Sequence, residues 1–155
     1  MKRLVVAALL GLASTSAQAR PSPDHAAGPL AVLNTIDKCW ERRDVECIAS
    51  NVTEDLVYTN VMGSQWRSKD DARKGWEALI KTPFAADAVM DEHQVRSLGP
   101  GAVAVVESGW IKGVKSPDGK ELPPIKTFAT FVLVKRQGRW LVAIGHTSAA
   151  PPPPH

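Results

Sequence analysis

Residues 126–148 read KTFATFVLVKRQGRWLVAIGHTS, two runs of β-branched and aromatic residues on either side of Gln137-Gly138. Two residues that include a glycine, placed between such runs, are typical of the tight turn of a β-hairpin. Two further runs precede this hairpin, and glycine and proline residues separate them with turn chemistry. The four predicted strands cover 89–98, 102–112, 126–136 and 139–148. The carboxyl-terminal half of the chain is therefore predicted to form an antiparallel sheet.

The amino-terminal part of the chain instead places apolar residues at helical spacing. A helix is predicted over 29–43, with Pro29 in its first turn. The residues that share its buried face are Leu30, Leu33, Ile36, Asp37 and Trp40. Asp44 can cap a second, short helix that carries Val45 and Ile48. Together these segments predict a helical hairpin.

A short β-hairpin and a third helix are predicted next. The strands cover 55–61 and 65–67, with a turn at Met62-Gly63-Ser64 between them. Ser68 precedes two aspartates at cap spacing and so begins a helix, which Pro83 ends. The apolar positions of this helix are Ala72, Trp76, Leu79 and Ile80.

This order of elements predicts an α+β fold, in which helices gather on one face of an antiparallel sheet. A strongly curved sheet of this kind forms a cone. We expect the helices to pack on its concave face and to leave a cavity there, where ligand sites are usually found.

The first 19 residues have the pattern of a secretory signal: basic Lys2 and Arg3, an apolar centre, and the small-residue cleavage site Ala17-Gln18-Ala19. The predicted organisation is a signal peptide over 1–19, a flexible lead-in over 20–28, one domain over 29–149 and a Pro-rich tail over 150–155. The mature chain would begin at Arg20 and reside in the periplasm or outside the cell.

Composition excludes several classes of partner. Removal of Lys2 and Arg3 with the leader lowers the net charge from +3 to +1, which does not fit a basic nucleic-acid-binding protein. No other apolar run approaches the ~20 residues of a membrane span. The sequence also shows no glycine-rich phosphate loop and no Ser, His and Asp triad. No cofactor is predicted.

Cys39 and Cys47 are the two cysteines of the chain. Export would place them in an oxidising compartment, and a helix, turn, helix arrangement would bring their Cα atoms within bonding reach. They could equally be two small buried apolar residues. Without a nearby histidine they do not predict a zinc site, and no metal ion is expected.

Three stretches follow one another in order between residues 29 and 149. They are DVECIA at 44–49, DLVYTN at 55–60 leading to Ser68-Lys69, and FVLVKRQGRW at 131–140 leading to His146-Thr147-Ser148. Together they resemble the SnoaL-like branch of the nuclear transport factor 2-like superfamily, and within it exported domains of unassigned function. The resemblance implies a cone-shaped, cystatin-like α+β domain, usually a homodimer that pairs through its sheet, with a mostly apolar pocket.

The resemblance does not imply one reaction, because this fold carries several chemistries. A ketosteroid isomerase has a carboxylate base at the end of the first strand, where this chain has Thr59 or Asn60. A limonene-epoxide-hydrolase-like site uses a Tyr and an Asn two residues apart, as in Tyr58 and Asn60, but its Arg and Asp partners have no counterpart here. Enzymatic activity therefore stays open.

Tyr58, Asn60 and Trp66 are the predicted ligand-binding residues. Tyr58 and Asn60 are two apart on one strand, so both point to the same face and line the pocket if that face is concave. Alternatively, Asn60 serves the turn at the strand end. Trp66 follows a tight turn and could close over the cavity.

Glu107 and His146 are the predicted acid and base. Glu107 interrupts an apolar strand, where a buried carboxylate must be paired, hydrogen-bonded or neutralised. Histidine is a common acid or base in proteins, and His146 could pair with Glu107. The alternatives are an edge or dimer-face carboxylate bridged to Lys or Arg, and a structural histidine at the dimer face.

Two functions follow from these residues. The first is an exported homodimer that binds a small apolar molecule in its cone, with isomerase, dehydratase or hydrolase-type proton transfer as an option. The second is a non-catalytic dimerisation or partner-binding module whose cavity is packed shut, for instance by Trp40, Trp66 and Trp76.

Overall fold

The computed structural model describes residues 23–82, 87–116 and 118–150. The helices are α1 (Pro23–Glu41), α2 (Val45–Ala49) and α3 (Lys69–Leu79). The strands are β1 (Val52–Thr59), β2 (Gln65–Trp66), β3 (Asp87–Gly99), β4 (Ala102–Lys112), β5 (Ile125–Arg136) and β6 (Arg139–Ala149). The predicted α+β order is confirmed, and each of the four long strands begins and ends within two residues of its predicted bounds.

All six strands form one curved sheet in the order β2-β1-β6-β5-β4-β3. Neighbouring strands are antiparallel except β1 and β6, which pair in parallel. A parallel pair requires a long connection. Here the connection is everything between β1 and β6, so the last strand returns to lie beside the first.

Two caps position the shorter helices. The Asp44 side chain accepts a hydrogen bond from the Cys47 N–H at 2.9 Å at the start of α2. The Ser68 hydroxyl accepts one from the Asp71 N–H at 3.1 Å at the start of α3. Each bond satisfies a donor that has no partner inside its helix. Both predicted caps are therefore present.

The first helix is longer than predicted. It begins at Pro23 rather than Pro29, so part of the predicted flexible lead-in is helical. Pro29 lies inside the helix and is fully buried. A proline cannot donate the backbone hydrogen bond of a helix, and its buried ring makes apolar contacts instead. The predicted signal peptide over 1–19 and residues 151–155 of the predicted tail lie outside the described residues.

A disulfide joins Cys39 near the end of α1 to Cys47 in α2, with a Cα–Cα distance of 5.6 Å. The sequence had left this pairing open. The turn between the two helices provides the approach that one continuous helix would not.

The core lies between the helices and the concave face of the sheet. Leu33, Ala72 and Trp76 are buried on the helix side. They face sheet residues such as Leu56 and Val105, which are fully buried. The helical layer therefore covers the concave face and leaves the convex face uncovered.

Two bulges change which side chains face this core. In β3 the register skips Asp91, and in β6 it skips Ala143. One extra residue reverses the alternation of a strand. Strict alternation along β6 would place Trp140 and Val142 on the same face as His146. The bulge separates them, so that Val142 is buried and His146 is exposed.

Candidate functional site

A cavity of about 190 Å³ lies between the helices and the concave face. Most of its lining is apolar or aromatic. The polar side chains that line it are Asp37, Glu41, Tyr58, Asn60 and Thr147. Trp40, Trp66 and Trp76 also line the cavity, so these three tryptophans do not fill it. A mostly apolar cavity with a few convergent polar groups is typical of a small-molecule site.

Three aromatic rings form one wall of the cavity. Tyr58 stacks on Trp66 with ring centroids 5.6 Å apart, and Trp76 meets both rings edge-on at 6.2 and 5.8 Å. Two glycines make room for this wall. A Cβ at Gly75 would lie 2.2 Å from the Trp66 ring, and one at Gly145 would lie 2.4 Å from the Tyr58 ring.

Tyr58 also provides a polar contact on the cavity floor. Its hydroxyl is hydrogen-bonded to the Thr147 hydroxyl at 2.9 Å. Burial raises the pKa of the Tyr58 phenol above its ordinary value of 10.0. The ring therefore stays neutral at physiological pH and keeps a proton that it can donate.

Asn60 combines the two roles that the sequence left open. Its side-chain oxygen accepts hydrogen bonds from the N–H groups of Met62 and Ser64 at 3.0 and 2.9 Å, and so holds the β1–β2 turn. It is also buried and lines the cavity. Because its oxygen serves the turn, its amide nitrogen is the group available to a ligand.

Glu107 lies on the concave side of β4 and is only 5% exposed. Its carboxylate contacts the Nδ1 atom of His93 at 2.9 Å, and the two residues are direct cross-strand neighbours. Burial raises the pKa of Glu107, and His93 partly offsets this. Glu107 is not a dimer-face carboxylate bridged to Lys or Arg, and it lies beside the cavity rather than in its lining.

His146 is far from this pair in the sheet. It is exposed on the convex face, and its cross-strand neighbours are Thr59 and Thr130. Strand β5 separates its strand from that of Glu107. The structure therefore does not bring Glu107 and His146 together, and no cavity chemistry passes through His146.

Asp37 is the ionisable group that the sequence did not single out. It lies on α1 and lines the cavity. Burial, together with the carboxylates of Glu107 and Glu41, raises the pKa of its carboxyl from 3.8 to about 6, and His93 partly offsets this increase. The sequence signal that could have identified Asp37 is its position on the apolar stripe of the first helix. A carboxylate on a buried face is in an unusual environment, and such groups are often functional.

His93 is a further residue that sequence reasoning missed, since it lies among polar residues at 91–94. Only the bulge at Asp91 turns it towards Glu107, and no residue pattern marks that bulge. In the part of the chain that the structure describes, no three metal-ligating side chains cluster, and no helix is long and apolar enough to cross a membrane.

A curved sheet covered by helices, with a largely apolar cavity between them, defines a nuclear transport factor 2-like, or cystatin-like, domain. The chain belongs to the SnoaL-like domain family, whose model matches residues 30–152. The sequence-based assignment of fold and superfamily is thus confirmed. No curated protein sequence matches the chain.

Several solved structures are similar to this protein in fold. An uncharacterised cystatin-like protein from Caulobacter vibrioides is 23% identical, with a TM-score of 0.74 over 83% of this chain and 92% of that one. A ketosteroid isomerase-like protein from Erwinia carotovora atroseptica is 18% identical, with a TM-score of 0.71 over 84% and 99%. An NTF-2 like protein of unknown function from Shewanella oneidensis is 16% identical, with a TM-score of 0.64 over 80% and 98%. At these identities the similarity concerns the fold alone.

Proposed function

We propose that this protein is an exported homodimer that binds a small, largely apolar molecule in the cavity and carries out proton transfer at Asp37. One observation carries the proposal: the partly buried carboxyl of Asp37 lines a mostly apolar cavity. Within the described residues, the Asp37 carboxyl has neither a hydrogen-bond donor nor an ion-pair partner in direct contact. A buried carboxyl without a partner is expected to form its hydrogen bond with a polar group of a ligand.

The pKa of Asp37 suits acid–base chemistry. At about 6, it leaves both protonation states populated near neutral pH, which is the condition under which a general acid or base is most effective. Tyr58 lines the same cavity, and its hydroxyl can donate a hydrogen bond to an oxygen that gains charge. These two groups fit proton transfer of the isomerase, dehydratase or hydrolase type.

Glu107 and His93 act on this chemistry indirectly. Neither lines the cavity, but the negative charge of Glu107 raises the pKa of Asp37 and the His93 ring lowers it. The pair therefore sets the proton affinity of the group that meets the ligand. In this proposal Asp37 takes the acid–base role that the sequence had predicted for Glu107 and His146.

The convex face supports a homodimer. Apolar side chains stand exposed there on the central strands, with Phe128 46% and Ile144 49% accessible to solvent. Trp110 and Val106 extend this surface along β4. Exposed apolar residues grouped on one face of a sheet mark an interaction surface, and a second copy would cover it with the same residues.

Export is supported by the pattern of residues 1–19 and by the Cys39–Cys47 disulfide. Disulfides persist mainly in oxidising compartments. The proposed location is the periplasm or the exterior of the cell.

Native mass spectrometry of the mature chain from Arg20 tests the proposal. We expect a dimer that carries, or takes up from a lipophilic metabolite extract, a small molecule. Ala129→Met fills the cavity floor and should abolish uptake, whereas Ala78→Met on the exposed side of α3 should not. A wild-type dimer that binds nothing from the extract would contradict the cavity function.

The second candidate is a non-catalytic association module. The exposed apolar convex face favours it, because that surface needs a partner whether or not the cavity is used. This candidate would be supported by a dimer whose cavity is empty and which dissociates when Phe128 and Ile144 are substituted.

A further inference from the structure

A second cavity adjoins the first one. It has a volume of about 290 Å³ and lies between the β1–β2 turn, the end of α3 and the β4–β5 connection. Every side chain that lines it is apolar. The two cavities have Val61, Leu79 and Ile111 in common, so these three residues form their shared boundary.

The outer cavity leaves apolar side chains in water. Met62 and Leu122, which line it, are 60% and 36% exposed. Such exposure costs free energy that an apolar occupant would recover. Since the cavity continues from the inner one, the natural occupant is the rest of the molecule that the inner cavity holds.

Tyr58 and Thr147 belong to one region of this joint space, with Glu107 beside it, whereas Asn60 directly precedes Val61 at the boundary between the two cavities. Across the concave face, Glu107, Ala129 and Thr147 are direct neighbours in one row, and Tyr58 contacts Thr147. Ile111, at the boundary of the outer cavity, is four residues further along β4. Ala149, which lines the outer cavity, is two residues beyond Thr147 along β6. At about 3.3 Å per residue, the outer cavity therefore begins roughly 7–13 Å from this row.

Charge restricts the polar end of the ligand. Asp37 and Glu41 line the inner cavity one helical turn apart, and Glu107 lies beside it. Among the described lining residues there is no Lys or Arg. Arg43 follows α1, but its guanidinium donates to the backbone carbonyl of Trp40 at 2.8 Å. Among these described lining residues, an anionic head group would meet carboxylates and no cationic side chain.

We infer that the ligand is an elongated apolar molecule with one neutral oxygen function, such as a hydroxyl or a carbonyl, at its inner end. The oxygen lies near Asp37 and Tyr58, and the apolar body passes Val61 and Ile111 into the outer cavity. This inference rests on the proposed function and adds the substrate class to it. It excludes simple fatty acids in their ionised form and small polar metabolites.

A homologous series of alcohols tests the length. The probes are 1-butanol, 1-hexanol, 1-octanol and 1-decanol, and binding to the mature wild-type chain is measured by tryptophan fluorescence at pH 8. If the outer cavity receives the tail, each added methylene tightens binding by about fourfold through 1-decanol. If affinity levels off between 1-butanol and 1-hexanol, the inference is wrong.

A blocked variant tests the location. Ala149 is exposed and lines the outer cavity, so Ala149→Trp should leave 1-butanol binding unchanged and weaken 1-decanol binding at least tenfold. Ala150→Trp, one residue further along and outside the lining, is the matched control and should bind both alcohols as wild type does. Equal 1-decanol affinity in Ala149→Trp and wild type would overturn the assignment.

Octanoate tests the head group. We expect it to bind at least tenfold more weakly than 1-octanol at pH 8, with a smaller difference in Asp37→Asn. Octanoate that binds as tightly as 1-octanol would overturn the neutral head. If short alcohols bind and longer ones gain nothing, only this inference fails; if no alcohol of any length binds, the proposed cavity function fails as well.

Discussion

The two faces of the same sheet have opposite relations between polarity and burial. On the concave face, the carboxylate of Glu107 and the hydroxyl of Thr127 are buried among apolar residues. On the convex face, Phe128 and Ile144 are apolar and exposed to water. Both faces come from alternate residues of the same strands. Each therefore departs from the ordinary rule that polar groups face water and apolar groups face the core.

Each departure has a free-energy cost that a binding partner can offset. The concave face keeps ionisable groups in a poorly hydrated setting, which suits chemistry on a small molecule. The convex face keeps apolar area in water, which suits a second protein surface. These two functions can therefore be separated, because no side chain on the sheet contributes to both faces.

The largest effect is expected on the convex face. Phe128→Glu combined with Ile144→Glu would place four like charges in a symmetric interface, and like charges in contact disfavour association by several kcal/mol. The protein should become a monomer at micromolar concentration while its cavity still binds the same ligands. Size-exclusion chromatography with light scattering measures the mass, and Ala78→Glu, on the exposed side of α3 and outside both cavities, is the control.

A double variant that stays dimeric would mean that the convex face is not the interface. A monomer that has also lost ligand binding would show that the two faces are coupled after all.

The next effect concerns the concave face. Because the folded state raises the pKa of Asp37 from 3.8 to about 6, its ionisation opposes folding, and the stability present below pH 4 is lost as pH rises through 6. Asp37→Asn removes that ionisation. The variant should therefore unfold with a free energy up to about 3 kcal/mol higher than wild type at pH 8 and equal at pH 4.

Urea unfolding at pH 4, 6 and 8 measures this difference. Glu77→Gln, an exposed change on α3, should show no pH-dependent gain. If Asp37→Asn raised the free energy of unfolding equally at all three pH values, the pKa of this carboxyl would not be raised in the folded protein. A stabilised variant that has lost activity would fit a group kept for chemistry rather than for folding.

The smallest expected effect is a change in stability that distinguishes the two faces at nearby residues of β6. Gly145→Ala adds a Cβ on the concave side, 2.4 Å from the Tyr58 ring, and should lower stability by about 1–3 kcal/mol by overpacking. Ser148→Ala, on an exposed position of the same strand, should change it by less than about 0.5 kcal/mol. Because the chain has one tyrosine, NMR of Tyr58 reports directly whether its ring moves. An unmoved ring and unchanged stability would contradict the close contact.

The sequence predicted the fold well because its signals are local. Residues 102–112 alternate strictly, so Val103, Val105 and Glu107 share a face in the structure as they do in the pattern. The caps at Asp44 and Ser68 are also local, since each side chain bonds to a backbone group three residues away. Such signals need no knowledge of the tertiary structure.

The site was less predictable because it depends on distant contacts. Glu107 obtains its partner from a neighbouring strand, and His93 faces it only because Asp91 is skipped in the register. Asp37 becomes ionisable near neutral pH through burial and charges on other elements. The sequence showed its place on the apolar stripe of the first helix, but not the cavity or the neighbouring charges that change its pKa.

The bulge at Asp91 also bears on how such a cavity could change in evolution. Because one extra residue reverses the alternation of β3, deletion of that residue would exchange the inner and outer side chains over half of the strand. Ala88 and Met90 would leave the cavity lining and Val89 would enter it. A single insertion or deletion at an edge strand can therefore change the lining of a pocket as much as several substitutions, while the central strands keep their pairing.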